Sequence, residues 1–239
     1  MLQSDGASVL SFPVIDIQPV SGDARLGRQL QRINDYDIML FVSRNAVDAA
    51  FSLIDCTRLA DHAVFGVIGS ATRAALAATL TGSNRDIDDC LVASEPYNSE
   101  ALLESQALQQ VSGKRILILR GQQGRNLLGD ELSRRGAVVE YAEVYRRVLP
   151  KVDSAVFNRL VADAFPSLVI LTSDEGMHNL VKLVDAGAAR ALCRTPWLLI
   201  SERMRESALK LGHNAPVLVA RNASDSGIRQ TICAWADRQ

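Results

Sequence analysis

Several familiar chemistries are missing from this chain. Its four cysteines, Cys56, Cys90, Cys193 and Cys233, form no CxxC pair, so no metal knuckle or dithiol redox motif is present, and the thiols read as reduced core thiols of a cytoplasmic protein. The three histidines, His62, His178 and His213, are scattered without metal-ligand spacing. Neither GxGxxG nor GxxxxGK[ST] occurs, and RGQQGR at 120–125, although it follows a strand-like run, lacks the spacing of either nucleotide loop. No Ser-His-Asp or Cys-His arrangement is readable. Charge of one sign is also lacking: the formal net charge is −1, which gives no bulk attraction to nucleic acid or an anionic membrane. No apolar run approaches the ~18 residues of a spanning helix, and the opening MLQSDGASVL does not read as a signal peptide.

What is present is the composition of a globular protein, 239 residues with 48% hydrophobic and 22% charged, enough for two ordinary domains. Residues 115–148 form the clearest unit. The apolar run Ile116 to Leu119 stops at Arg120-Gly121. A helix pattern follows with Leu127, Leu128 and Leu132 on one face, closed by Gly136, and a second extended run goes from Val138 to Val148. Strand, helix and strand make one βαβ unit.

Segments of the chain then repeat. LSRRGAVVEYAEVY at 132–145 matches LQSDGASVLSFPVI at 2–15. IMLFVSRNAV at 38–47 matches LVILTSDEGM at 168–177, setting Ser43 against Ser173. FGVIGSATRAAL from 65 matches WLLISERMRESAL from 197, setting Ser70 against Ser201, and CLVASEPYNSEALL from 90 matches VLVARNASDSGIR from 217. Four matches in one order describe two copies of one α/β half. Counterparts of residues 115–131 would lie ahead of Met1, so the chain is expected to lack one strand that its own duplication predicts. By the repeat alone, the chain would divide in tandem near Gly113.

In order, the pattern predicts a helix end at Gln3 to Gly6 and an extended segment from Val9 to Val20, kept to an edge by Pro13 and Pro19. Helices are expected over 26–33, 46–59, 72–80, 100–111 and 154–162, then from Ser173 through Val184, from Ser201 to Leu211, and over 228–235. Strands are expected over 38–42, 64–68, 90–92, 169–171, 197–200 and 217–220. Alternation of this kind implies parallel sheets covered on both sides. Strand after strand ends in a small polar residue before a helix: Ser43-Arg44-Asn45, Gly69-Ser70, Ser94, Arg120-Gly121, Thr172-Ser173, Ser201 and Asn222. Each alone is an ordinary N-cap. Repeated at the carboxyl ends of parallel strands, with helix N-termini behind them, they also suit a ligand bearing several carboxylates. Tyr145 stands where the extended run leaves the βαβ unit, flanked by Arg146 and Arg147. It reads either as a core tyrosine or as a phenol that keeps its proton at neutral pH and can donate it.

FVSRNAV (41–47), VIGSATRAAL (67–76), ILILRGQQGRNLLGDELSRRGAVV (116–139), VYRRV (144–148) and LTSDEG (171–176), in this order and spacing, resemble uroporphyrinogen-III synthases of the bacterial type. The resemblance covers most of the chain. It implies two doubly wound α/β domains joined by a two-stranded linker, one of them discontinuous, with the active site in the cleft between them. Residues 1–16 with 147–239 would form one domain and 18–143 the other, with linkers near 14–18 and 142–146. It implies cyclisation of linear hydroxymethylbilane with inversion of the last pyrrole ring and loss of water, by a cytoplasmic monomer that uses no cofactor or metal, with the upstream hydroxymethylbilane synthase as a partner. Tyr145 matches the family tyrosine of the VY motif and would be the proton donor. Ser43, Arg44, Asn45, Ser70, Thr72, Arg120, Gly121, Thr172, Ser173 and Ser201 would line the substrate site, with Arg120 and Arg125 adding charge. Two departures from the family stand out: the missing first strand usually ends in a Thr-Arg-Pro-like motif, and ISERM replaces a glycine-rich GxxT turn at Ser201. Two other readings stay open on the residues alone. One is a non-catalytic two-lobed binder of a tetrapyrrole or other polycarboxylate; the other, with little support, is a nucleotide-dependent enzyme.

Overall fold

Two strands are apolar almost from end to end, and the larger sheet is built outward from them. They are β2 (Ile38–Phe41) and β5 (Arg115–Gly121), and of their residues only Arg115 is not buried. Such runs belong to the middle of a parallel sheet with both faces covered. The structure, a computed structural model, describes residues 1–81, 83, 87–152, 157–158 and 165–238. β2 and β5 pair in parallel from Ile38↔Ile116 to Phe41↔Leu119. Outside β2 lie β3 (Val64–Val67) and β4 (Leu91–Val92); outside β5 lie β6 (Val138–Val148) and then β1 (Asp16–Pro19), giving the order β1-β6-β5-β2-β3-β4. β1, with Pro19, is an edge strand, as proline requires.

Side chains alternate along the strands, so the sheet feeds two cores. Met39, Phe41, Leu117 and Leu119 join α1 (Ala24–Gln31), α2 (Arg44–Phe51) and α3 (Ser70–Leu80) on one face. Ile38, Leu40, Ile116 and Ile118 join α4 (Ser99–Leu103) and α5 (Leu127–Arg134) on the other. The chain divides by contacts into two units, Ile17–Arg147 and Met1–Asp16 with Val148–Gln239. A tandem division at Gly113 would instead cut β5 away from β2, its hydrogen-bonded partner.

The second unit holds a parallel sheet, β7 (Val169–Leu171), β8 (Trp197–Leu199) and β9 (Val217–Val219) in that order. Its helices after β7 are α6 (Asp174–Leu183), α7 (Ala186–Leu192), α8 (Glu202–Lys210) and α9 (Asp225–Ala236) among the described residues. The first residues pack onto this unit: Asn179 Nδ2 donates to the Val14 carbonyl at 2.9 Å, and Asp5 takes both Arg229 donors at 2.6 Å. Two parallel-sheet α/β units make the expected fold class.

Element lengths differ in four places. The helix expected over 46–59 ends at Phe51, because Ser52 Oγ turns back to the Ala49 carbonyl and Asp55 caps a separate 3-10 turn. The helix expected over 100–111 ends at Leu103, whose carbonyl is taken by Gln109 Nε2 at 2.7 Å. The extended run from Val9 becomes a strand only at Asp16, since among the described residues no strand stands beside the segment that precedes it. Asp185 starts α7, unforeseen in the sequence, by accepting the Ala188 N–H. Of the helix expected over 154–162, all but residues 157 and 158 lies outside the described residues. Cys56, Cys90 and Cys193 are half-buried against the cores and Cys233 is exposed, so none is a fully buried core thiol. Among the described residues no helix is long and apolar enough to cross a membrane.

His213 is 3% exposed, lies 4.2 Å from the Trp197 ring, and has no well-formed hydrogen bond at either ring nitrogen among the described residues. Burial pulls its pKa below 6.5, against a smaller opposing pull from the backbone of Pro216 and Ala215. The unfolded chain therefore binds this proton more readily than the folded one. Its contribution to stability is complete above pH 6.5 and is lost as pH falls below it. Urea midpoints followed by tryptophan fluorescence should drop on going below pH 6.5, and His213→Leu should flatten that drop. An unchanged pH slope in the variant would remove His213 as its source.

Candidate functional site

The order β5-β2-β3 creates a topological switch. The helix after β2 packs on one face of the sheet and the helix after β5 on the other, the arrangement that marks a switch point at the carboxyl ends of these two strands. Ligands of open α/β sheets bind at such points. Ser43 stands at the end of β2 and Gly121 at the end of β5.

Ser43 is the N-cap of α2, with φ −161 and ψ 162, and its Oγ accepts the Ala46 N–H at 3.2 Å. A cap of this kind is worth about 1 kcal/mol. The same Oγ lies 3.2 Å from the Tyr145 hydroxyl. Tyr145 is 3% exposed and belongs to the core on the α2 face, together with Ala142 and Val144. Its carbonyl accepts the Gln122 N–H at 2.9 Å, and Arg147 Cζ lies 6.0 Å from its ring centroid. Tyr145 is thus a core residue, a buried ring whose hydroxyl ends on the cap of α2.

Arg120 is buried beneath the loop that follows β5. Nη1 donates to the Gly124 and Arg125 carbonyls and to Asn126 Oδ1 at 3.1, 3.2 and 2.9 Å, while Nη2 meets Glu143 at 3.0 Å. Its guanidinium lies 3.8 Å over the Tyr141 ring, within cation–π range. The charge is therefore used to shape the loop of residues 121–126. Because Asn126 Oδ1 is taken by Arg120, it does not cap α5. Arg125 and Arg44 are exposed, facing Glu100 at 3.4 Å and Asp48 at 3.5 Å. Asn45 is half-buried on the first turn of α2.

α3 is different. Its N-cap is Gly69, which has no side chain to occupy the first N–H groups. Ser70 is exposed on the first turn and Thr72 is buried two residues on. An uncapped N-terminus of this kind favours an anion. In the other unit, Ser173 caps α6 through Gly176 N at 3.0 Å and Ser201 caps α8 through Met204 N at 3.3 Å, with exposed Thr172 just before the first. Ser43 and Ser173 hold the same cap position, as their repeat positions suggest. Ser201 does not match Ser70: it fills the cap position held by Gly69. The capping residues of α4 and α9 are Asn98 and Ser224 rather than Ser94 and Asn222.

Sequence reasoning missed Val144, Glu143 and Asn126. Val144 had a signal, since VVEYAEVYRRV places two apolar residues side by side where alternation calls for one. A cavity of about 420 Å³ lies beside α1, lined by Val20, Asp23, Leu30 and Leu53 among others, and none of its lining residues belongs to this site. Among the described residues no group of three or more potential metal ligands occurs.

The family model described as "Uroporphyrinogen-III synthase HemD" matches residues 1–229. The uroporphyrinogen-III synthase of Escherichia coli (strain K12) is 31% identical over 242 residues, spanning 97% of this chain and 92% of that protein. That of Salmonella typhimurium is 31% identical over 234 residues with the same coverage. Among solved structures, a mutant uroporphyrinogen III synthase from the extremely thermophilic bacterium Thermus thermophilus superposes with a TM-score of 0.55 at 16% identity, covering 99% of this chain and 92% of its own. The uroporphyrinogen-III synthetase of Helicobacter pylori 26695 gives 0.52 at 15%, covering 93% and 91%; these two establish a shared fold. With a family model spanning residues 1–229 and full-length relatives above 30% identity, the chain belongs to the uroporphyrinogen-III synthase family.

Proposed function

We propose that Tyr145 is the proton donor with which this lyase of tetrapyrrole biosynthesis turns hydroxymethylbilane into uroporphyrinogen III. The observation that carries the proposal is the 3.2 Å contact between the Tyr145 hydroxyl and Ser43 Oγ at the switch point of the sheet. The leaving hydroxyl of the bilane takes the phenol proton and departs as water. Because Ser43 Oγ already accepts the Ala46 N–H, its own proton is available to the phenol oxygen as negative charge develops there. The cation left on the terminal methylene is attacked by the substituted carbon of the last ring. The bond from that carbon to its own methylene bridge then breaks, the bridge rejoins at the unsubstituted carbon of the same ring, which is thereby inverted, and the proton lost from that carbon restores the phenol. Most of the acceleration comes from holding the two ends of the chain together.

The acetate and propionate groups are held by backbone N–H groups and hydroxyls. Ser70, Thr72 and the uncapped turn of α3 serve in one unit, with Arg44, Asn45 and the loop after Arg120 beside the switch point. Thr172, Ser173 and Ser201 serve at the strand ends of the other. The enzyme works as a monomer in the cytoplasm and receives hydroxymethylbilane from the synthase that makes it.

The direct test is isomer analysis. Freshly made hydroxymethylbilane is given to the chain, and the products are oxidised and separated as type I and type III porphyrins. Type III above the spontaneous type I background is the expected result. Type I alone from folded protein that still binds the bilane would overturn catalysis in favour of a binding role.

A further inference from the structure

The geometry points to Gly121 and Val144 as a positioning pair that sets the Tyr145 phenol on Ser43, an inference that rests on the proton-donor reading of Tyr145. β5 and β6 pair one to one from Arg115↔Val138 to Arg120↔Glu143, and then the register shifts so that Gly121 faces Tyr145. Val144 is the extra residue. In an unbroken strand, Ala142 and Val144 would face the α2 core and Tyr145 would point with Glu143 to the opposite face. The bulge cancels that alternation, and Val144 and Tyr145 join the same core. Re-aiming a side chain beside an active site is a known use of bulges.

Gly121 provides the space this re-aimed ring needs. A Cβ built there would lie 2.6 Å from Tyr145 Cζ, 2.7 Å from Cε2 and 3.0 Å from the hydroxyl. The backbone of Gly121 is not in the left-handed region, so glycine is needed here for room rather than for conformation. Three contacts then locate the phenol: the ring rests on Gly121, the Tyr145 carbonyl takes the Gln122 N–H, and the hydroxyl meets Ser43. Gly121 thereby acts through Tyr145 and is a positioning residue rather than a carboxylate contact. The clashing atoms are the far end of a side chain, so the added methyl displaces the ring instead of breaking the sheet.

The test compares Gly121→Ala, Tyr145→Phe and the double variant in turnover, and Gly121→Ala with and without Tyr145→Leu in thermal stability. Gly121→Ala is expected to lower kcat on the order of tenfold or more, the usual consequence of misplacing a reacting group, with KM little changed. In the Tyr145→Phe background it should cost no further kcat. Leucine is too short to reach the ring position, so the loss of Tm caused by Gly121→Ala should vanish in the Tyr145→Leu background. If Gly121→Ala fails to fold, recovery of folded protein on adding Tyr145→Leu supports the pair, and no recovery overturns it. Equal Tm losses in both backgrounds, or full kcat in Gly121→Ala beside a crippled Tyr145→Phe, overturn the pair alone. Full activity in Tyr145→Phe overturns the donor reading, and with it the purpose of the pair.

Discussion

Tyr145→Phe is expected to lower turnover by about 10²-fold or more, the size of a general-acid contribution, while KM stays near that of the unsubstituted enzyme. The substitution removes one oxygen and leaves the ring in place against Gly121 and in the core with Val144. Packing is therefore conserved, and the loss isolates the proton. Ser43 keeps its bond to the Ala46 N–H in the variant, so α2 stays capped and the carboxylate-binding turns are untouched. The measurement is initial-rate formation of type III isomer against hydroxymethylbilane concentration. A fall in kcat with KM preserved is the signature of an interaction made only in the transition state. A rise in KM with kcat preserved would instead make the hydroxyl a substrate-binding group, and unchanged kinetics would remove it from the reaction.

Local chemistry was legible in the sequence and pairing chemistry was not. Ser43 and Ser173 could be read as caps because an N-cap depends on four consecutive residues and a hydroxyl, and both cap as the repeat suggests. The apolar runs IMLF and ILIL read as strands because hydrophobicity belongs to the segment itself, while their place side by side in the middle of the sheet depends on pairing. The aim of Tyr145 depends on a register shift between β5 and β6, and no single segment encodes that. Ser70 and Ser201 looked equivalent by repeat, yet one residue of offset makes Ser201 a cap and Ser70 the first residue of an uncapped helix. Helix ends near Phe51 and Leu103 were overrun because the groups that close them, Ser52 Oγ and Gln109 Nε2, act through side-chain bonds that hydrophobic periodicity does not register. Arg120 is the clearest case. Beside a glycine at a strand end it reads as a free cation for a carboxylate, whereas its four bonds tie it to residues 124–126 and to Glu143.

Those bonds predict the outcome of Arg120→Met, which keeps the length of the side chain and removes its donors. The Gly124 and Arg125 carbonyls and Asn126 Oδ1 each lose a charged partner, and Tyr141 loses the cation 3.8 Å from its ring. Glu143 is 39% exposed in its side chain and recovers water, so its loss is small. Bonds to a charged group contribute more than neutral ones, and the donors are lost from partly buried acceptors, so opening of this segment is expected to become easier by about 2–4 kcal/mol. Hydrogen exchange should show this as faster exchange in the loop of residues 121–126. The freed Asn126 Oδ1 becomes available to cap α5, and the Asn126 carbonyl still receives the Tyr141 hydroxyl at 2.8 Å, which confines the effect to the loop. Unchanged protection across residues 121–126 would mean that the loop holds its shape without the guanidinium. Faster exchange there, with the type III isomer still formed at raised KM, would assign Arg120 to shaping the loop around the substrate carboxylates rather than to meeting them itself.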